Sequence, residues 1–440
     1  DRAWSGGSRA ELEPLLREDP PASGRDAEEV IERALDEVLS RAGRIDHPRF
    51  FAFIPSSPTW PSVLADFLAA GFNVFQGTWL ESAGPSQVEL VVLEWFRRWL
   101  DLPEAAGGLL TSGGSAANLV ALVAARERAE GSGRPAVYLS DEGHTSLERA
   151  ARIAGVETEG IRTVGTDARF RLEPGSLDEK LRADRASGWR PLAVCASAGA
   201  TNTGAVDPLC EVARVCRDHG VWFHVDAAYG GFAVLTDRGR SALEGIGLAD
   251  SVTLDPHKWL FQPYEAGCVL LRDPRGLDEA FRVLPEYLQD TELGLQEVNF
   301  ANRGVQLSRS FRALKIWMSV QTFGLSAFRE AVGRGIDLAL TAEERIRSSA
   351  SLELLSPASL GIVCFRYRPR GEDRDEDSLE ELNVRVQARI NEDGFAMMSS
   401  TRLAGRYSLR LCILNYRSRR DDVLATLERV EAVGAELAGG

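Results

Sequence analysis

The sequence predicts an α/β fold with a mostly parallel central sheet, followed by a smaller α+β domain. From residue 109 onward, short apolar runs of strand length alternate with helical patterns. After about residue 325 the pattern changes to half-exposed strands packed with helices. A chain of 440 residues is also long for one hydrophobic core. We therefore expect an N-terminal segment over residues 1–60, a large α/β domain over 61–325 and a small C-terminal domain over 326–440.

The elements before and within the large domain can be assigned in chain order. Asp26–Ser40 carries its apolar residues on one side of a helix, and Gln87–Leu100 reads as an apolar helix. Between them, His47–Pro61 is rich in aromatic residues and proline, which predicts an extended surface segment with its rings turned inward. The expected strands are Ala136–Ser140, Leu192–Ser197, Val221–Asp226, Ser251–Leu254 and Gly267–Arg272. The expected helices between several of them are Ser115–Glu130, Leu177–Ser187 and Leu209–His219.

The C-terminal part has a different pattern. A helix is expected over Ser310–Phe323, at the end of the large domain. Beyond it, Gly361–Tyr367 and Tyr407–Leu414 alternate like half-exposed antiparallel strands. Helical patterns accompany them at residues 330–348, 378–392 and 420–437. The charged tract Arg370–Asp377 is expected to be a solvated loop.

Composition limits the partners. The net charge of -14 argues against nucleic acid or an anionic membrane surface as a partner. No apolar run reaches about 18 residues, so we expect no transmembrane helix. The six cysteines show no CxxC pair, which predicts buried free thiols, no metal site and a cytoplasmic location.

Two stretches contain the residues that are most easily interpreted as catalytic groups. In SVTLDPHKWL, Lys258 directly follows the end of a predicted strand, and in VWFHVDAAYGG the carboxylate of Asp226 ends another. A lysine that bonds to an aldehyde and a carboxylate that holds a pyridinium nitrogen are the minimum equipment of a pyridoxal phosphate (PLP) enzyme. The alternatives are a surface lysine for Lys258 and a helix N-cap for Asp226. His224 is expected to be a core residue of its strand.

Further residues at predicted strand ends complete a candidate site. In TSGGSAANL, Gly114 and Ser115 open a helix whose backbone N–H groups suit a phosphate, although Gly-Gly is also a common turn. His144 follows a strand and either stacks on a flat cofactor or forms structural hydrogen bonds. His257 could reach a phosphate or satisfy its own loop. The hydroxyl of Thr201, in CASAGATNT, could donate to a cofactor oxygen.

Taken together, these stretches resemble the group II PLP-dependent decarboxylases, the aromatic-L-amino-acid (tyrosine/DOPA) decarboxylase family of fold type I. The matching stretches span roughly residues 47 to 320. They are HPRFFAFIP, TSGGSAANLVALVAAR, SDEGHTSLERA, SAGATNTGAVDP, WFHVDAAYGG, ADSVTLDPHKWL and RSFRALKIW.

The resemblance implies a role for each candidate residue. Lys258 would link covalently to the cofactor, Asp226 would pair with its pyridine nitrogen, and His144 would stack on one face of its ring. Ala228 would pack under the other face, and Thr201 would lie near the carboxaldehyde side or ring hydroxyl. The residues implied to hold the phosphate are Gly114, Ser115 and His257.

The family works as a homodimer with a shared active site, and a tyrosine on a mobile loop returns a proton to the substrate's α-carbon. The best candidate here is Tyr287, in LPEYLQDTELG, with a surface loop tyrosine as the alternative. Animal members carry Asn at the position of Asp255. Because a carboxylate near a phosphate is unfavourable, we expect Asp255 to point away from the site.

The resemblance also implies a substrate pocket. The residues expected to line it are Phe53, Ile54, Pro55, Phe75, Trp79 and Ser308. An apolar slot favours an aromatic side chain over glutamate, whose carboxylate would need a paired cation. Among plant relatives, Ser at the position matched to Ser308 accompanies phenolic substrates. We therefore expect tyrosine, phenylalanine or dihydroxyphenylalanine to be preferred over tryptophan.

The expected reaction is decarboxylation of an L-amino acid to its amine and carbon dioxide. An aromatic acetaldehyde synthase on the same scaffold is the main alternative, although relatives of that kind tend to carry Phe where Tyr287 stands here. A decarboxylase of a non-aromatic amino acid is a second alternative. A PLP-binding protein without turnover is a third.

Overall fold

A seven-stranded sheet forms the centre of the large domain. The computed structural model of the chain describes residues 2–4, 6–54, 56–283, 297–371 and 374–439. The strands of this sheet are β1 (Gly107–Thr111), β2 (Arg134–Ser140), β3 (Ile161–Val164), β4 (Trp189–Ser197), β5 (Trp222–Asp226), β6 (Ser251–Leu254) and β7 (Gly267–Leu271). Their spatial order is β1-β7-β6-β5-β4-β2-β3.

The sheet is mostly parallel, as predicted. Only β7 runs against its neighbours: it pairs antiparallel with both β1 and β6, while the remaining pairs are parallel. It follows that β1, β2, β4, β5 and β6 all present their carboxyl ends at one edge of the sheet. This edge is where ligands bind in open α/β sheets.

The helices cover this sheet and extend into the second domain. The helices are α1 (Arg9–Leu16), α2 (Ala27–Arg33), α3 (Trp60–Gly71), α4 (Trp79–Trp99), α5 (Gly114–Arg128), α6 (Thr145–Ile153), α7 (Pro174–Ala186), α8 (Leu209–His219), α9 (Asp237–Ala242), α10 (Pro256–Trp259), α11 (Arg275–Phe281), α12 (Arg312–Ser348), α13 (Glu376–Asp393) and α14 (Arg420–Ala438). Throughout the described ranges, none of them is both long enough and apolar enough to cross a membrane.

The long helix α12 contains two predicted elements in one. The expected helices over Ser310–Phe323 and residues 330–348 are joined, with a break at Gly324, where φ is +71°. Glycine adopts this left-handed backbone without the steric cost that a side chain would add. The break lies beside the domain boundary that we propose at residues 325–326.

The small domain is built on a four-stranded antiparallel sheet. Its strands are β8 (Leu352–Ser359), β9 (Ile362–Tyr367), β10 (Ser399–Leu403) and β11 (Arg406–Cys412), in the order β10-β11-β9-β8. Buried apolar residues of α12, α13 and α14 pack on it to form a second hydrophobic core. The expected α+β character of this part is therefore present.

The N-terminal segment is attached to the small domain. Phe51 is fully buried and its backbone N–H donates to Met397 O at 2.8 Å. The expectation that the rings of His47–Pro61 all turn inward is wrong in part, because Phe53 and Trp60 are exposed. The helix expected over Asp26–Ser40 is present as α2 and two further helical turns ending at Arg41, with its apolar side exposed in the single chain.

The cysteines are free, as predicted, and five of the six are buried. Cys210 is the exposed one. Burial raises the pKa of the Cys195 thiol well above its usual value, so this residue is present as the neutral thiol. Such thiols behave as small apolar core residues.

Candidate active site at the carboxyl edge of the sheet

A cavity of about 480 Å³ opens at the carboxyl edge of the central sheet. Loops and helix starts that follow β1, β2, β4, β5 and β6 form its walls. All eight residues that the sequence predicts to bind a cofactor line it: Gly114, Ser115, His144, Thr201, Asp226, Ala228, His257 and Lys258. Chain segments more than 100 residues apart are thus brought to one site by the order of the strands.

Lys258 lies on the short helix α10, which starts at Pro256 directly after β6. Its Nζ is 2.9 Å from Oδ2 of Asp255. Burial alone would lower the pKa of the Lys258 amine, but the carboxylates of Asp255 and Asp226 raise it above the ordinary value. The other two lysines of the chain are elsewhere: Lys180 on α7, and Lys315 in an ion pair with Asp66.

The expectation that Asp255 points away from the site is wrong. The residue is 2% exposed and lines the cavity between Lys258 and His257, whose Nε2 is 3.6 Å from Asp255 Oδ2. Its other oxygen, Oδ1, has no hydrogen-bond partner within the described ranges. A buried carboxylate needs a counter-charge, and the amine of Lys258 provides one.

The glycine-rich turn before α5 forms a narrow end of the cavity. Gly113 has φ +146°, and a Cβ there would lie 3.3 Å from the His257 ring. A Cβ on Gly114 would lie 3.0 Å from Asp255 Oδ2 and 3.1 Å from the Ala228 Cβ. The two glycines therefore leave room beside the N-terminus of a 15-residue helix, where backbone N–H groups attract an anion.

Asp226 ends β5 and is buried. Its Oδ1 accepts a hydrogen bond from Ala228 N at 3.1 Å, and its Oδ2 accepts one from Asn118 Nδ2 at 2.9 Å. The residues after Ala228 form a turn and a short 3-10 helix, Gly231–Leu235, rather than an α-helix. The N-cap alternative for Asp226 is therefore not what the structure shows.

His144 forms the structural hydrogen bonds that one interpretation predicts, while stacking on a cofactor stays a prediction. It is the N-cap of α6, where its Nδ1 accepts from Ser146 N at 3.2 Å, and it also lines the cavity. Partial burial lowers the pKa of the His144 ring, which favours the neutral form. Burial likewise lowers the pKa of His257, whose Nδ1 accepts from Ala266 N at 3.2 Å.

Of the predicted substrate residues, those that the structure describes are not on the wall of this cavity in the single chain. Phe53 is 64% exposed and has φ +57°, Ile54 is buried, and Ser308 is exposed. Phe75 and Trp79 are half-buried. Pro55 and Tyr287 lie outside the described residues. The roles of these residues remain predictions.

Several cavity residues were not singled out from the sequence. They are Asn118, Ser146, Tyr264 and Glu265. Asn118 lies in TSGGSAANL three residues after Ser115, so helical spacing is a signal for it, whereas Ser146, two residues after His144 in SDEGHTSLER, has no such signal. Tyr264 comes from the loop after α10, and its ring is 4.9 Å from that of His257.

Arg410 connects the small domain to the site and was also missed. This buried residue of β11 donates to the backbone oxygens of Asn202 and Phe53 and to Ser399 Oγ. Asn202 follows Thr201, which lines the cavity. One arginine thereby fixes the loop after β4 and the segment around Phe53 to the same strand.

Comparison with known proteins identifies the family. Residues 10–368 match the pyridoxal-dependent decarboxylase conserved domain. The chain belongs to this family. It is 42% identical to an aromatic-L-amino-acid decarboxylase from Bacillus atrophaeus over 97% of this chain and 89% of the relative. It is 32% identical to tyrosine decarboxylase 4 from Petroselinum crispum, over 91% of this chain and 82% of the relative.

A solved structure supports the same assignment. The crystal structure of Oryza sativa TDC with PLP and tryptamine superposes with a TM-score of 0.93 at 30% identity, covering 99% of this chain and 93% of that one. The protein is a PLP-dependent carboxy-lyase of fold type I that acts on an amino acid.

The cavity fits this cofactor. Its lining offers backbone N–H groups at the start of α5 for a phosphate, the Asp226 carboxylate for the pyridine nitrogen and the Lys258 amine for the aldehyde. Each charged or polar part of PLP thus has a matching group in the wall.

Proposed function

We propose that this decarboxylase converts an aromatic L-amino acid to its amine and carbon dioxide, preferring tyrosine, dihydroxyphenylalanine or phenylalanine over tryptophan. The observation that carries the proposal is the convergence of Lys258, Asp226 and His144 in one cavity. The relatives named above, an aromatic-L-amino-acid and a tyrosine decarboxylase, support the aromatic class.

In this proposal each residue has a distinct task. When bound, PLP accepts the electron pair that the departing carbon dioxide leaves behind. Lys258 would hold the cofactor through its amine. Asp226 keeps a negative charge beside the pyridine nitrogen, so that this nitrogen retains its proton. His144 would cover one ring face, Ala228 would pack under the other, and Thr201 would lie at the edge.

The phosphate would be held at the narrow end of the cavity. Backbone N–H groups at the start of α5, including those of Gly114 and Ser115, point there, and a neutral His257 can donate from Nε2 because its Nδ1 already accepts a hydrogen bond. This end anchors the cofactor, while the reacting side faces Lys258.

The charges of the cavity support a substrate without a second carboxylate. Besides Asp226, the carboxylates of Asp255 and Glu265 line the wall. Asp255 is paired with Lys258, and the described lining holds no other lysine or arginine, so the carboxylate of a glutamate or aspartate side chain would lose its hydration without a counter-charge. An aromatic side chain has no such cost. Phe53, Ile54, Pro55, Phe75, Trp79 and Ser308 are our candidates for contacts with it.

We also infer a homodimer with a shared active site. Large apolar side chains are exposed in the single chain along the N-terminal third, which is typical of a protein interface. They include Ile31, Leu35, Phe53, Trp60, Phe67 and Phe72. A partner that covers them would bring predicted substrate residues next to a cavity. The free cysteines support a cytoplasmic location.

The test is product analysis. Purified protein with PLP is incubated with L-tyrosine, dihydroxyphenylalanine, phenylalanine, tryptophan, histidine and glutamate, and amines and aldehydes are identified by mass spectrometry. An aromatic amine as the main product supports the proposal. Amine from glutamate alone overturns the substrate class, and aldehyde with hydrogen peroxide and ammonia identifies an aldehyde synthase instead.

Two variants assign the residues. Lys258→Ala is expected to abolish turnover, while Lys180→Ala, a lysine on the outer helix α7, keeps the parent rate. After borohydride reduction, peptide mapping should find the cofactor on Lys258. If Tyr287 donates the proton, Tyr287→Phe shifts the product from amine toward aldehyde. An unchanged amine rate in that variant would exclude Tyr287 as the proton donor.

A further inference from the structure

We propose that Asn118, Ser146 and His224 form one directional hydrogen-bond chain that positions both Asp226 and His144. The inference rests on the roles proposed above for these two residues and assigns three positioning residues behind them. All three are buried, and they come from α5, α6 and β5.

The direction of the chain can be read from its His144 end. The backbone N–H of Ser146 donates to His144 Nδ1, so this nitrogen carries no proton. The Ser146 hydroxyl is 2.7 Å from the same nitrogen and must therefore donate to it as well. As a result, the oxygen of Ser146 is left to accept a hydrogen bond, and the proton of a neutral His144 sits on Nε2.

Asn118 supplies that hydrogen bond and a second one. Its Nδ2 is 3.0 Å from Ser146 Oγ and 2.9 Å from Asp226 Oδ2. The two amide protons serve these two acceptors. The opposite orientation would place the amide oxygen against the carboxylate oxygen of Asp226, which is repulsive, so the network fixes which atom is nitrogen.

The chain continues through His224 toward the amino-terminal ends of β5 and β6. The Asn118 Oδ1 must accept, and its neighbour is His224 Nε2 at 3.0 Å. His224 Nδ1 is then the acceptor of the Ser251 hydroxyl at 2.8 Å, and Ser251 Oγ accepts from Trp222 Nε1 at 2.8 Å. Burial lowers the pKa of His224 to about 4, consistent with a neutral ring that donates at one nitrogen and accepts at the other.

The hydrogen-bond chain acts on Asp226 and His144 at the same time. Asp226 receives two N–H donors, from Asn118 and Ala228, and together they fix the orientation of its carboxyl group. His144 receives two donors at Nδ1, and both favour its neutral form. One buried asparagine therefore holds the orientation of one residue and, through Ser146, the tautomer of the other. The further groups that act electrostatically on Asp226 or His144 are Lys258, Asp255, Arg149 and Cys195.

The test compares Asn118→Asp and Ser146→Ala with Thr253→Val in the holoenzyme. Thr253 is buried opposite Asp226 on β6, and its hydroxyl finds no partner in the described part of the chain, so Thr253→Val removes a nearby buried hydroxyl outside the network. The readouts are the dissociation constant for PLP, the absorbance of the bound cofactor against pH, and kcat and KM against pH.

Asn118→Asp puts a second carboxylate beside Asp226, and the two must share a proton. We expect at least tenfold weaker PLP binding, a pH-dependent change of the cofactor absorbance that the parent does not show in the same range, and a fall in kcat larger than the change in KM. Ser146→Ala removes a donor to neutral His144. In this variant the acidic limb of the plot of kcat against pH should therefore move to higher pH. Its affinity for PLP should stay within about twofold of the parent's.

The proposal is overturned if Asn118→Asp and Ser146→Ala match Thr253→Val within twofold in PLP affinity and share its absorbance and pH profile. Where Asn118→Asp does not fold, Asn118→Ala, which also removes the donor, must show weaker PLP binding than Thr253→Val. An Asp226→Ala variant distinguishes a failure of the role proposed for Asp226 from a failure of the hydrogen-bond chain. If Asp226→Ala itself keeps the parent absorbance and turnover, the role of Asp226 fails; if it loses them while the Asn118 variants do not, only the chain fails.

Discussion

Oδ2 of Asp255, the residue between β6 and α10, lies 2.9 Å from Nζ of Lys258 on α10. Although burial alone would lower it, the pKa of the Lys258 amine is raised above its ordinary value by Asp255 and Asp226. An amine attacks a carbonyl only in its neutral form. Before the cofactor is attached, Asp255 therefore keeps Lys258 in its unreactive, charged state.

Asp255→Asn should consequently speed attachment of PLP to the cofactor-free protein at pH 7. A decrease of one unit in the pKa of Lys258 increases the neutral fraction about tenfold, so we expect an increase of several-fold. The measurement is the rate of appearance of cofactor absorbance between pH 6 and 9. The matched control is Asp66→Asn, which removes the partner of Lys315 instead. Attachment no faster than in the parent at every pH would contradict the prediction.

Gly113→Ala should weaken PLP binding at least tenfold. At φ +146° a side chain adds backbone strain, and its Cβ would press on the His257 ring at 3.3 Å. Gly131→Ala is the matched control, because Gly131 also has a positive φ but open space around it. Both variants should lower the melting temperature, and only Gly113→Ala should raise the dissociation constant for PLP. Equal affinities in the two variants would remove Gly113 from the phosphate end.

The sequence predicts much of the large domain, because apolar runs and turn residues are local signals. Five of its seven strands are found where the pattern places them. The missed strands have physical reasons. β1 begins with two glycines that resemble a turn, yet a Cβ on Gly108 would lie only 1.8 Å from Val269 O, so glycine is required by strand packing. β3 has only four residues and includes half-exposed Arg162.

The site is predicted less completely, because its contacts depend on tertiary structure. Strand ends identify Lys258, Asp226 and His144, since the carboxyl edge of a parallel sheet is one place in space. Asn118 could not be found in this way. Its partners His224 and Asp226 are 106 and 108 residues away, and only the strand order brings them together. The expectation that Asp255 points away from the site is wrong because the sequence does not reveal its ion pair with Lys258.

His224 should make stability depend on pH. Its pKa is lowered by burial from 6.5 to about 4 in the folded protein. Between these values the unfolded chain binds the proton and the folded chain does not, so this contribution to the free energy of unfolding falls as the pH decreases. The loss is of the order of 3 kcal/mol over the whole interval.

The measurement is the difference in denaturant unfolding between the parent and His224→Gln at several pH values. The parent's advantage should shrink from pH 6.5 to pH 4. For Asp207→Asn, the stability difference from the parent should change with pH in the opposite direction. Burial raises the pKa of Asp207 to about 6, so its contribution grows as the pH decreases through that value. A parent-to-His224→Gln difference that is independent of pH would contradict the assignment of a neutral buried ring.

Breaking the buried ion pair behind β1 should lower the free energy of unfolding more than breaking an exposed ion pair does. Arg309 and Glu89 are almost fully buried, with Arg309 Nη2 2.6 Å from Glu89 Oε1, which also accepts from Leu110 N at 2.8 Å. Arg309→Met leaves the Glu89 charge uncompensated, and we expect a loss of about 3–5 kcal/mol in the free energy of unfolding. The exposed pair of Arg98 with Glu94 is the control, and Arg98→Met should cost less than about 1 kcal/mol.

A second substitution separates charge from packing. Glu89→Gln removes the charge but keeps an oxygen for Leu110 N, so the double variant Arg309→Met with Glu89→Gln should regain part of the stability that Arg309→Met loses. Guanidinium unfolding followed by tryptophan fluorescence measures each variant. A double variant as unstable as Arg309→Met would show that packing dominates instead of the uncompensated charge. Because β1 leads directly into Gly113, Arg309→Met should also weaken PLP binding. The double variant should regain part of the stability and part of the PLP affinity together.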